Sequence, residues 1–244
     1  MRHPIVLSIA LGLTAAMANI LGGLVIGRKY WARATLRYFL ALGSGFMLAT
    51  ALLEMVPQSF LLLDGRTAAT LVLAGYLLVH FFEHSIHAHF HFGEETHHEE
   101  LVGRHVGVSV VGGLMIHSFF DGIAIASGFL ISEWLGYIIF LAVFLHKMPE
   151  GFTGASVMLA AGRSRRAAIG AAVLLGLATV AGVLTMAALR WHVGYGLPLS
   201  AGVTIYVAAS DLIPEVNREP GIRMAFVVFA GVALLLVLNL LFHH

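Results

Sequence analysis

The sequence predicts an all-α integral membrane protein with eight transmembrane helices. Hydrophobic residues make up 59% of the 244 residues and charged residues 11%, with a mean hydropathy of +0.90. A soluble domain carries about 25% charged residues, so this chain cannot cover its surface with polar groups in water. Its apolar residues form long continuous runs, and only a helix satisfies every backbone group within such a run in a bilayer.

Eight runs reach the length of about 20 residues that a helix needs to cross a bilayer. They lie at 4–26, 36–62, 68–91, 105–131, 136–161, 166–189, 198–216 and 221–242. The first run lacks the cleavage pattern of a signal peptide, so it is interpreted as a retained span. Together the runs predict a single transmembrane domain over 1–244.

The positive charges predict the orientation of the spans, because cytoplasmic loops are enriched in Lys and Arg. Ten of the 14 cations fall in the odd-numbered loops. They are Arg28, Lys29, Arg33, Arg37, Arg104, Arg163, Arg165, Arg166, Arg218 and Arg223. The odd loops are therefore predicted to be cytoplasmic, with both termini outside.

Two pairs of similar segments predict an inverted repeat. The segment around Glu54 in span two resembles the one around Asp211 in span seven, since each places an acid three residues before a proline. The segments 117–122 and 146–151, in spans four and five, both read His-x-x-x-acid-Gly. Each pair lies in spans of opposite direction. The pattern predicts a 3+2+3 arrangement whose central helix pair carries the functional site.

That site is predicted from His117 and Asp121 in span four and His146 and Glu150 in span five. Ionisable residues within a span cost about 2.5–3.5 kcal/mol each, so their presence indicates a function. The spacing of four puts each histidine and acid on one helix face. Facing pairs would offer two imidazoles and two carboxylates, a set that Zn²⁺ accepts. A proton relay or a hydrolytic site uses the same residue types and is the rival reading.

Three further charged residues lie within the spans. Lys147 is expected to pair with a carboxylate of the site, and its charge disfavours a second metal ion nearby, which predicts a single metal site. Glu54 and Asp211 are interpreted as lining the path of the ion. The alternative is that each caps a helix broken beside its proline.

A histidine-rich tract runs from the end of span three into the loop 92–104, which is predicted to be cytoplasmic. Such tracts bind borderline metals weakly. The tract is therefore a candidate for metal capture, and a merely solvated polar loop is the alternative. The candidate ligands are His84, His87, His89, His91, His97 and His98.

Together these features resemble the ZIP family of divalent metal transporters, bacterial in type, over nearly the whole chain. The segment 146–151, His-Lys-Met-Pro-Glu-Gly, is similar to the family signature His-x-x-Pro-Glu-Gly. The segment 117–122, His-Ser-Phe-Phe-Asp-Gly, is similar to its span-four partner, which is usually His-Asn-x-Pro-Glu-Gly. Ser118 and Asp121 replace the usual Asn and Glu, and Lys147 stands where a second-metal ligand often occurs. These departures favour one metal ion, with Ser118 and Lys147 in the second subsite.

The resemblance implies a transporter rather than an enzyme, in the cytoplasmic (inner) membrane. It implies transport of Zn²⁺, or of Cd²⁺, Fe²⁺, Mn²⁺ or Co²⁺, into the cytoplasm by alternating exposure and an elevator or rocking motion. The metal is cargo, so no cofactor is expected. The expected partners are the ion and the bilayer, with a homodimer as the candidate assembly.

Two other function classes use similar residues. An intramembrane metal-dependent hydrolase needs a general base beside the metal, but the sequence lacks a His-Glu-x-x-His motif. A cation channel with a structural metal would share the donor set. A nucleic-acid function is disfavoured by the net charge of +1 and the lack of a basic stripe.

Overall fold

The described part of the chain is helical and contains no strand in the computed structural model. The structure describes residues 2–25, 31–86, 104–218 and 222–242, with the side chains of 3–25, 37–83, 107–218 and 222–242. The helices are α1 (Arg2–Leu24), α2 (31–62, in the segments Trp31–Thr50, Ala51–Met55 and Val56–Leu62), α3 (Gly65–Ile86), α4 (Arg104–Ile131), α5 (Glu133–Ala160), α6 (Arg165–Ala188), α7 (193–217, in the segments Val193–Tyr206, Val207–Leu212 and Ile213–Asn217) and α8 (Arg223–Phe242). The predicted all-helical fold class is confirmed.

Eight helices of the described residues are long and apolar enough to cross a membrane, so the chain is a multi-pass membrane protein. Helix α2 begins at Trp31 instead of 36, and α7 begins at Val193 instead of 198. These differences arise because an apolar run marks only the part of a helix that lies in the hydrocarbon core of the bilayer, and the helix itself continues beyond it. The loop 92–104 lies outside the described residues apart from Arg104, the first residue of α4.

Helices α2 and α7 share an unusual local backbone. In α2 the Val56 N–H bonds to the Ala51 carbonyl, and in α7 the Ile213 N–H bonds to the Ala208 carbonyl, so each bond spans five residues and forms a π-helical turn. A proline follows each turn directly. Because proline has no N–H, the preceding turn has a carbonyl without its usual partner, and π turns of this kind occur often at functional sites.

The bundle has two ends, the Asp64 end and the Arg104 end. The Asp64 end holds the α2–α3 turn, the α4–α5 junction at Ser132 and the start of α7, where Leu63 lies near Gly194. The Arg104 end is the opposite one, where α3 stops and α4 begins. At the Asp64 end, the hydrogen bonds that Asp64 accepts from Thr67 start α3 and hold the pKa of the Asp64 carboxyl below its usual value.

The helices pack in two groups of four: α1, α4, α5 and α6 in one group, and α2, α3, α7 and α8 in the other. Within each group, glycines bring helix backbones together. A Cβ on Gly122 of α4 would collide with the Thr179 carbonyl of α6, and one on Gly151 of α5 with the Asn19 backbone of α1. In the second group Gly45 faces the Val228 backbone in the same way. Such close packing is typical of helices held firmly together in membranes.

The contact between the two groups consists mainly of apolar side chains. Helix α5 packs against α2, and α4 packs against α7. Buried residues of all four helices, among them Phe46, Ile123, Leu145 and Val207, share one apolar cluster. The central helices α4 and α5 therefore lie where the two groups meet.

Candidate metal centre

Four buried side chains of α4 and α5 converge at this boundary. They are His117, Asp121, His146 and Glu150, and one potential ligand atom from each lies within 4.8 Å of all the others. Each residue is at most 4% exposed. The structure thus brings together all four residues that the spacing placed on facing helix faces.

The separations within this four-residue cluster suit a small cation with nitrogen and oxygen ligands. The two Nε2 atoms of His117 and His146 lie 3.3 Å apart, and Asp121 Oδ2 lies 3.2 and 3.3 Å from them. Ligands at 2.0–2.1 Å from Zn²⁺ in a tetrahedron are about 3.4 Å from one another. Glu150 Oε2 lies farther away, 4.0 and 3.9 Å from the two nitrogen atoms.

The two histidines differ in what holds their second nitrogen. His146 Nδ1 lies 2.9 Å from the Ala142 carbonyl oxygen. Donation of Nδ1–H to that oxygen leaves the Nε2 lone pair directed at the cluster, the arrangement usual for a metal-binding imidazole. His117 Nδ1 has no hydrogen-bond partner among the described residues.

Lys147 is fully buried beside the cluster and bonds to both carboxylates. Its Nζ lies 2.6 Å from Asp121 Oδ2 and 2.5 Å from Glu150 Oε2, and it donates to Ser118 Oγ at 3.0 Å. Ser118 Oγ in turn donates to Glu150 Oε1. An ammonium group has three N–H donors, so all three are used. The ammonium fills the position beside the cluster.

A pocket leads from the cluster toward the Arg104 end. It is lined by His117, His146 and Glu150 of the cluster, and farther out by Glu83 of α3 and Asp211 of α7. The carboxyl groups of Asp211 and Glu83 lie close to each other in this outer part of the pocket. Tyr206 O–H donates to Glu83 Oε2 at 2.9 Å.

Glu54 and Asp211 do not lie on the same side of the cluster. Asn239 Nδ2 of α8 donates to Glu54 Oε1 at 2.5 Å, and Asn239 is three residues from the end of α8 at Phe242. Glu54 thus belongs to the half of the bundle at the Asp64 end, while Asp211 belongs to the half at the Arg104 end. Each lies in a π-helical turn, three residues before its proline.

Sequence reasoning did not single out Glu83, Tyr206 or Asn239 as site residues. Glu83 directly precedes the histidine-rich tract in the sequence, and the structure places it in α3 beside Asp211. An acid inside an apolar span was the available signal. The predicted capture residues at 87–98 lie outside the described residues, and of His84 only the backbone, in α3, is described.

Comparison with known proteins gives one family. The family model described as ZIP Zinc transporter matches residues 99–239. The chain is 29% identical over 140 residues to a protein of Drosophila melanogaster named Zinc transporter ZIP13 homolog, covering 53% of this chain and 39% of that protein. It is 32% identical over 161 residues to Zinc transporter ZIP5 of Mus musculus, which covers 62% of this chain and 29% of that protein.

A third relative, Zinc transporter SLC39A7 of Homo sapiens, is 30% identical over 118 residues, which are 43% of this chain and 25% of that protein. The chain thus spans less than two fifths of the length of these relatives. The family match includes all of α4 and α5, and so includes the whole four-residue cluster.

Proposed function

We infer, since the chain belongs to the ZIP zinc transporter family, that it transports Zn²⁺ across the cytoplasmic membrane into the cytoplasm. His117, Asp121, His146 and Glu150 are the proposed ligands. The observation that supports this most directly is their convergence, fully buried, on two helices at the boundary between the helix groups. A site at such a boundary is exposed to either side when one group moves against the other.

The proposed site holds one ion. The oxygen atoms that a second ion would share, Asp121 Oδ2 and Glu150 Oε2, are bonded to the Lys147 ammonium. A second divalent ion would have to lie against this fixed positive charge in a medium of low dielectric constant, where repulsion is strong.

The donor set supports zinc as the cargo. Two imidazoles and two carboxylates in near-tetrahedral spacing suit Zn²⁺, which has no geometric preference of its own. Cd²⁺, Fe²⁺, Mn²⁺ and Co²⁺ accept the same ligands to different degrees. Competition among these ions for one binding site therefore measures the selectivity.

The proposed direction rests on two features that agree. The excess of Lys and Arg in the odd loops predicts that the Arg104 end is cytoplasmic and that both termini are outside. The pocket beside the cluster lies on the side toward this same end, and Glu83 and Asp211 are among the residues that line it. In this conformation the site therefore faces the proposed cytoplasmic side.

Uptake of radioactive zinc into proteoliposomes tests the transport site. The double variant His146→Ala, Glu150→Ala is expected to lose saturable uptake, because it removes half of the ligands. The matched control is His3→Ala, Glu133→Ala, which removes the same residue types from an exposed ion pair 3.2 Å apart. The control is expected to retain uptake.

Three results would overturn the transport proposal. Uptake that survives the double variant would show that the ion does not pass through the cluster. Single-channel currents would identify a cation channel, and turnover of lipid or peptide without ion flux would identify a hydrolase.

Metal counting tests the proposal of a single ion. The purified protein is expected to bind one Zn²⁺ per chain, and Lys147→Asp is expected to bind a second, because it exchanges the ammonium for a third carboxylate. Two ions in the unmutated protein would contradict the role given to Lys147.

A further inference from the structure

Three buried hydroxyl groups, those of Thr50, Ser127 and Ser200, lack a hydrogen-bond partner among the described residues. All three side chains are 0% exposed. A serine or threonine inside a helix commonly donates to a carbonyl three or four residues earlier. The hydroxyls that follow this rule in buried positions are those of Ser8, Ser44, Ser59, Thr179 and Thr204.

The three unpaired hydroxyls lie at increasing depth from the Asp64 end. With a rise of about 1.5 Å per residue, Ser127 lies about 6 Å from the end of α4 and Ser200 about 10 Å from the start of α7. Thr50 lies about 18 Å from the end of α2. Asp121 of the metal cluster lies about 15 Å from the end of α4, so the hydroxyls cover the distance from this end to the cluster.

The three residues also face the boundary between the helix groups. A Cβ on Gly196 of α7 would lie 3.2 Å from Ser127 Oγ of α4, and Ser200 follows Gly196 by one turn on the same face. A Cβ on Gly43 of α2 would lie 3.4 Å from Leu145 of α5, and Thr50 follows Gly43 by two turns on the same face. The unpaired hydroxyls therefore lie on three helices that meet across this boundary.

A buried hydroxyl without a partner is unfavourable, and the apolar residues around these three provide none. A second conformation that admits water at this boundary would satisfy all three. In the present conformation the pocket that borders the cluster lies toward the Arg104 end. The second conformation would therefore open the boundary toward the Asp64 end.

We propose that Thr50, Ser127 and Ser200 line the route by which a hydrated divalent cation reaches the four-residue cluster from the Asp64 end, a route closed in this conformation. The proposal rests on the proposed transport function and adds the residues of the second path. Neutral hydroxyls suit this task, because they hydrogen-bond to the water shell of an ion without holding the ion itself.

The chain contains no cysteine, so single cysteines test the route without background. Ser127→Cys and Ser200→Cys change one atom each. The matched control is Ser8→Cys, in α1: Ser8 is 1% exposed, about 9 Å from the same end by helix rise, and its hydroxyl donates to the Ile5 carbonyl at 2.9 Å. The probe is a charged, membrane-impermeant methanethiosulfonate added from outside to right-side-out vesicles.

The cysteines at 127 and 200 are expected to react at least about tenfold faster than the cysteine at 8, because the reaction accumulates from any outward-open population. Reaction is expected to block zinc uptake, and zinc to slow the reaction. Reaction no faster than at position 8 would overturn the route. Absence of zinc uptake by the unmutated protein would instead overturn the transport function. Failure of the route and failure of the transport function are therefore distinguishable.

Thr50 is tested by its isosteric variant. Thr50→Val is expected to lower the maximal uptake rate about fivefold while zinc binding to the detergent-solubilised protein is unchanged. Thr179→Val is the control, because the buried Thr179 hydroxyl donates to the Leu175 carbonyl of its own helix. Equal uptake by the two variants would remove Thr50 from the route.

Discussion

The two halves of the metal centre have the same motif but different support. On α5, His146 is oriented by the Ala142 carbonyl, and Lys147 ties Glu150 and Asp121 together. On α4, His117 Nδ1 has no partner among the described residues. The residue one turn before His117 is Gly113, with nothing within 4 Å of where its Cβ would be.

Two equal motifs therefore need not contribute equally to ion binding. A ligand held in its binding geometry loses little freedom when the ion arrives, whereas an unsupported ligand must be ordered by the ion. We therefore regard α5 as the fixed half of the site and α4 as the adaptable half.

Lys147→Met removes the cation that joins the halves. Because Asp121 and Glu150 are then buried without a counter-charge, the metal-free protein is expected to lose about 3–5 kcal/mol of stability. A divalent ion can replace the missing charge, so zinc should raise the melting temperature more in this variant than in the unmutated protein. Thermal unfolding in detergent measures both, with the exposed Arg163→Met as control. An equal response to zinc would show that Lys147 does not balance the carboxylates.

His146→Ala and His117→Ala compare the halves directly. Both weaken zinc binding, and the loss at His146 is expected to be about tenfold greater, the size of effect associated with the hydrogen bond that orients a metal-bound imidazole. Competition with a chelating dye measures both dissociation constants. Equal losses would break the comparison, and a greater loss at His117 would reverse it.

Ser118→Ala is expected to have the smallest effect. It removes the bond to Glu150 and one acceptor for Lys147. A net hydrogen bond contributes about 1 kcal/mol, so zinc affinity should fall about three- to tenfold. Ser44→Ala, whose hydroxyl bonds to the Ala41 carbonyl of its own helix, should leave it unchanged. A loss beyond about 100-fold would mean that Ser118 is itself a ligand.

The helices and the four-residue cluster were accessible from the sequence because both follow from local spacing. Apolar runs of fixed length marked the spans, and a spacing of four placed His117 with Asp121 on one face and His146 with Glu150 on another. The pairing of Lys147 with a carboxylate of the site was also expected from its position in the sequence. The structure shows Lys147 paired with both Asp121 and Glu150.

The contacts of the outlying acids were not accessible in this way. Glu54 meets Asn239, which is 185 residues away, and Asp211 meets Glu83. Such pairs depend on which helices pack together, and periodicity within one helix does not determine that. The unpaired hydroxyls were invisible for a related reason, since a serine in an apolar helix usually bonds to its own backbone. The inverted repeat stays a prediction, as do the homodimer and the capture of ions by the loop histidines.

For the proposed transport of one divalent ion, Lys147 has a consequence for the charge of the site before and after loading. With neutral imidazoles, two carboxylates and one ammonium give the empty site a charge of −1 and the loaded site +1. The electrostatic cost of burying a charge grows with its square, so the empty and the loaded site cost about the same. An apolar residue at 147 would instead give the empty site a charge of −2 and the loaded site a charge of 0. Each unit charge moved across 100 mV changes the energy by about 2.3 kcal/mol. Where the receiving side is negative, the field therefore draws the loaded site inward and returns the empty site outward.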